Sequence, residues 1–94
     1  MGIEYKISFA PVATKAVDHI LRSATHSTQT TEFNGVTNYE YRMPNNTGSM
    51  PSAQASIEVY GIYFCDFGNA GDIMAHIAQD ISEQIGPPKI DELE

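Results

Sequence analysis

The chain has 94 residues, 41% of them hydrophobic and 18% charged, with one cysteine and a net charge of −7. This length fits a single domain burying roughly 65% of its unfolded surface. The composition excludes a disordered or fibrous chain, the lone cysteine excludes an internal disulfide, and no apolar run approaches the ~20 residues that span a bilayer.

Twelve acidic residues face only five basic ones, Lys6, Lys15, Arg22, Arg42 and Lys89, which are scattered along the chain. Phosphate backbones are held by clustered Lys and Arg, so no nucleic-acid partner is expected, and no membrane. An acidic surface keeps a small protein soluble and attracts basic partners. The opening Met-Gly-Ile-Glu-Tyr-Lys alternates like a strand and has no signal-peptide core. A cytoplasmic location is expected.

Ile3, Tyr5, Ile7 and Phe9 alternate with Glu4, Lys6 and Ser8, which predicts a first strand with one buried and one wet face. Pro11 suits the first turn of a helix. Ala13, Ala16, Val17, Ile20, Leu21 and Ala24 follow at helical spacing, with Asp18 and Arg22 paired on the outer side. Asn34-Gly35 is a type I′ turn signal. It favours a hairpin pairing Thr28–Phe33 with Val36–Met43 over one long strand with Gly35 as a bulge. Residues 44–52 are dense in Pro, Asn, Gly and Ser and predict an exposed loop.

Residues 55–67 form the longest apolar, β-branched and aromatic run and predict a single central strand. Alternation places Ile57, Val59 and Tyr63 on one face and Tyr60, Ile62 and Phe64 on the other. Gly61 suggests a bulge or close approach. A second helix is expected from an Asn69 cap with Asp72 completing a capping box. It buries Ile73, Met74, Ile77, Ala78, Ile81 and Ile85 and stops at Gly86-Pro87-Pro88. Residues 89–94 read as an acidic tail expected to fray.

The order β-α-β-β-β-α predicts an α+β two-layer sandwich over residues 1–88, an antiparallel sheet of about four strands with two helices on one face. The helices cover Ile3, Tyr5, Ile7 and Phe9, and with them Ile57, Val59 and Tyr63. Tyr60, Ile62 and Phe64 are then left facing solvent, and such apolar patches mark interaction sites. Tyr39 and Tyr41 join them as interface candidates, since tyrosine is enriched where proteins meet.

No catalytic, cofactor or metal signature stands out. Cys65 lies in a strand between Phe64 and Asp66, the setting of a buried small hydrophobe rather than of a nucleophile served by His19, His26 or His76. Asp72, His76 and Asp80 form a stripe on one helix face, an incomplete ligand set that reads as a solvated surface. The function expected is a non-enzymatic protein-interaction module using the open sheet face, to form a dimer or hold a partner. A small acidic inhibitor or immunity-type protein fits that description. The alternative is a small-ligand or enzymatic domain with a cleft near loop 44–52 and polar groups from His26, Arg42 or Cys65.

Overall fold

The computed structural model describes residues 2–93. Its elements are β1 (Ile3–Ser8), α1 (Thr14–Ser23), β2 (Ser27–Phe33), β3 (Val36–Tyr41), β4 (Ala53–Glu58), β5 (Gly61–Asp66), α2 (Gly71–Gln84) and β6 (Lys89–Leu93). The strands form one antiparallel sheet in the order β2-β3-β4-β5-β1-β6. Both helices pack on the face carrying Ile7, Tyr39, Tyr41, Ala55, Ile62 and Phe64. The α+β class is as expected, but the sheet has six strands rather than about four.

One extra strand comes from a break in the 55–67 run. Ile57 pairs with Ile62 and Glu58 with Gly61, so Val59-Tyr60 is a tight turn between two strands. Gly61 makes the turn possible. Its φ is +146°, and a Cβ there would collide with the Ile7 carbonyl oxygen, a place only glycine fills without strain. The Tyr60 carbonyl accepts the Phe9 N–H at 3.3 Å, tying the turn to the end of β1.

A two-residue turn resets the alternation. In a continuous strand Ile57 and Ile62 point to opposite faces; as cross-strand partners they share one. The remaining extra strand is the acidic tail. Lys89–Leu93 pairs along β1, with Ile90 opposite Ile7, and so is not frayed; Glu94 lies outside the described residues.

The hairpin at Asn34-Gly35 forms as expected. Both residues have positive φ, 52° and 78°, and Phe33 pairs with Val36. At the start of α2, Asn69 is not the cap. It sits at φ 57°, while Asp66 Oδ1 accepts the N–H groups of Gly68 at 2.7 Å and Ala70 at 3.2 Å. The helix begins without a side-chain cap. A cap is worth about 1 kcal/mol, whereas burying an isoleucine contributes about 2 kcal/mol, and α2 fully buries Ile73, Ile77 and Ile81. Packing of that stripe decides where the helix forms.

Candidate interaction surface

The reset alternation moves the expected interface residues. Ile62 and Phe64 are 0% exposed and lie under the helices, not on the uncovered face. Tyr41 at 0% and Tyr39 at 2% exposure are buried beside them. Tyr60, in the turn, is half-buried with the Lys6 ammonium 4.8 Å above its ring. Of the five residues, only Tyr60 retains a surface. Tyr63, assigned to the helix side, instead faces outward with Cys65 across from Lys6 and Glu4.

Tyr39 and Tyr41 face α1 and use their hydroxyls there. Tyr41 donates to the Leu21 carbonyl at 2.7 Å, satisfying a backbone group near the end of α1, and its ring tilts against Phe64 at 6.5 Å. Tyr39 donates to the Asp18 carboxylate, whose two oxygens also share the single Arg22 Nε–H at 2.9 and 3.0 Å. Arg22 lies over the Tyr39 ring at 5.7 Å and reaches Thr30 Oγ1 at 3.3 Å. The Tyr39 hydrogen bond is the largest cause holding the Asp18 carboxyl below its ordinary value, with Arg22 acting in the same direction against partial burial. Burial first, then the neighbouring Asp18, pushes the Tyr39 hydroxyl up.

The uncovered face is mostly polar. The register aligns Asn38, Ser56, Tyr63, Lys6 and Asp91 in one row across the sheet, and Glu40, Gln54, Cys65, Glu4 and Leu93 in the next. An antiparallel sheet with such a side is stable facing water. Ile3, Met50, Ile90 and Leu93 are exposed at separate places, but the two most exposed apolar side chains, Phe33 and Val59, lie at the end of the sheet where two turns meet. Phe33 is 72% exposed, Val36 46% and Val59 fully exposed. Between these turns and α1 runs a groove of about 610 Å³, with Val36, Ile57 and Val59 along it and Lys15, Asp18 and Tyr39 contributing polar groups. Phe33 and Val36 flank the Asn-Gly turn in sequence, and a residue beside a protruding turn cannot reach the core. That signal was available; Val59 carried none until the second turn was known.

Loop 44–52 lies at the opposite end of these strands and lines neither this groove nor the smaller one beside it. Its surface is exposed, yet Asn46 holds it together. Asn46 Nδ2 donates to the Met50 carbonyl and Ser52 Oγ, its Oδ1 accepts the Gly48 N–H, and Arg42 donates to the Gly48 carbonyl at 2.7 Å. Arg42 is thereby occupied as a brace. His26 adopts φ 63° in the turn after α1 and accepts the Arg42 N–H through its carbonyl.

Cys65 is 9% exposed, and burial, with Glu4 and Asp66 nearby, pushes its thiol up. That is the reverse of what a nucleophile needs. On α2, His76 Nε2 lies 3.3 Å from Asp80, an ordinary pair one turn apart. Among the described residues no three His, Cys, Asp or Glu side chains converge as a metal site.

Charge is divided along the chain. Lys6, Lys15, Arg22 and Arg42 balance Glu4, Asp18, Glu32 and Glu40, so the entire net charge of −7 falls on residues 58–94. In the sheet, β2 and β3 with α1 carry a net charge of only −1, while β5, α2 and β6 together carry −5. Compared with known proteins, the chain matches no family model, no curated protein and no solved structure.

Proposed function

We propose that this domain acts by binding protein, without catalysing a reaction, and that its contact surface is the end of the sheet bearing Phe33, Val36 and Val59. The observation that carries this reading is the exposure of Val36 and Val59 along one groove, with exposed Phe33 paired to Val36 at its side. Large apolar groups gathered at one site mark contacts more reliably than scattered ones. The acidic half formed by residues 58–94 speeds encounter with basic partners without fixing where they bind. An inhibitor or immunity-type role is one form this binding would take.

The test places a photo-crosslinking amino acid at Phe33, Val59 or, as a control on the far edge, Lys89, in cells expressing the chain. Adducts are expected from the first two positions and to disappear when the other apolar tip residue is changed to Asp. Equal adduct yields at Lys89, or none at Phe33 and Val59, would sink the proposal.

A second reading rests on the groove itself, whose volume of about 610 Å³ falls in the range of small-ligand sites. A ligand selective for the folded state raises the melting temperature by mass action. A shift seen in a metabolite panel and lost in Lys15→Ala would favour this reading over protein binding.

A further inference from the structure

We infer that two copies of this chain pair antiparallel through the outer edge of β2, about a two-fold axis at Thr31. This goes beyond the protein-binding reading above, since it uses the sheet edge beside Phe33 rather than the groove at Val36 and Val59.

The sheet is open, so β2 and β6 each present one unpaired edge. Exposed edges invite a further strand, and proteins blunt them with charges, proline or bulges. Edge β6 is blunted: Lys89, Asp91 and Glu92 occupy three of its five positions, and Pro87-Pro88 precede it. Edge β2, with sequence STQTTEF, has neither lysine nor proline. Its one irregularity lies between Ser27 and Gln29, leaving residues 29–33 regular.

The direction of the free groups follows from the hairpin. In a two-residue type I′ turn the flanking residues, here Phe33 and Val36, exchange both backbone hydrogen bonds. Alternation then points Thr31 and Phe33 inward to β3 and leaves the N–H and C=O of Thr30 and Glu32 pointing outward. Among the described residues no backbone partner within the chain takes these groups.

A second copy satisfies them in one register. Centring the axis on Thr31 sets Thr30 opposite Glu32 of the second copy, and Gln29 opposite its Phe33. Each Thr30–Glu32 pair exchanges two backbone hydrogen bonds, and threonine meets threonine at the axis, a favourable cross-strand pair. No like charges stand directly opposite. Thr30 and Glu32 share the helix-covered side, and Arg22 already touches Thr30 Oγ1 at 3.3 Å. The incoming carboxylate of Glu32 therefore arrives beside a guanidinium. Part of exposed Phe33 is covered by the second copy's Gln29. The charge division favours the same edge, because pairing by β2 joins the nearly neutral sides and keeps the strongly acidic sides apart.

The experiment uses the purified 94-residue chain. Sedimentation velocity over a wide concentration range is expected to show a monomer–dimer equilibrium. Thr30→Pro removes an outward N–H without touching the β2–β3 ladder, and Glu32→Arg sets a second cation against Arg22; each should weaken the dimer at least tenfold. Circular dichroism melting confirms folding, and Glu32→Arg decides the matter if the proline variant unfolds.

In a Cys65→Ala background, Thr31→Cys is expected to give a disulfide-linked dimer on mild oxidation, since facing residues of a close antiparallel pair have suitable Cα spacing. Gln29→Cys, which never meets itself in this register, should form no such cross-link. Dimerisation unaffected by both substitutions, with equal cross-linking at positions 29 and 31, overturns the β2 edge but leaves protein binding standing. A chain that stays monomeric at every concentration also overturns it; adducts to a different protein from Phe33 and Val59 would then still support the broader reading.

Discussion

Asp18 draws together helix and sheet through two donors of different kinds, the Tyr39 hydroxyl and the Arg22 guanidinium. Its carboxyl titrates below the ordinary 3.8 in the folded chain. Because the folded value is depressed, the interaction stabilises the fold above about pH 4 and is lost as pH falls through the folded value. Asp18→Asn should flatten the acid limb of melting temperature against pH. Tyr39→Phe should return the carboxyl toward its ordinary value, read by NMR titration; an unmoved carboxyl would mean that the hydroxyl is not the cause. Tyr39 has the opposite sign. Its folded value is raised from 10.0, so its contribution is complete below that pH and fades as pH rises toward the folded value.

The phenylalanines offer a second test at this scale. Phe64→Ala empties a fully buried site and should cost about 3–5 kcal/mol in urea unfolding. Phe33→Ala, at an exposed turn, should stay within about 0.5 kcal/mol. Similar costs at both positions would contradict the assignment of faces.

Among the elements, the β4–β5 hairpin depends on Gly61 more than on its own turn residues. Gly61→Ala adds a Cβ where the Ile7 carbonyl stands, at φ +146°, and should destabilise by about 2 kcal/mol or more. A neutral substitution, measured by denaturant unfolding, would argue for an unbroken strand. The same hairpin explains what the sequence concealed. Asn34-Gly35 announced its turn because both residues tolerate positive φ. Val59-Tyr60 contains two strand formers and none of the usual turn chemistry, so only the neighbouring glycine hinted at a break.

Helix positions and the class of fold were legible because periodicity reports which residues must be covered. The facing of Ile62 and Phe64 was not, since a misplaced two-residue turn inverts everything after it. The interaction surface inherited that inversion. Strand β6 was hidden for another reason: Lys-Ile-Asp-Glu-Leu is poor in strand formers, and its pairing comes from the waiting edge of β1.

At the scale of the whole molecule, β1 lies inside the sheet between β5 and β6. Ending the chain after Gly86 would strip one side of β1 and uncover Ile7, which is 0% exposed beside Ile90. That truncation is expected to lower the melting temperature and raise light scattering on heating, because a bared inner strand is an aggregation template. Unchanged melting and scattering would show β6 to be dispensable.

The central place of β1 also sets a timetable. It precedes the other five strands in the chain, yet its neighbours are residues 61–66 and 89–93. The β2–β3–β4 meander can close from local contacts while synthesis continues, but β1 must wait for residue 66 to gain one neighbour and for residue 93 to gain both. During that interval Ile3, Tyr5 and Ile7 travel unpaired, so the earliest of the six strands is the one left longest without its neighbours.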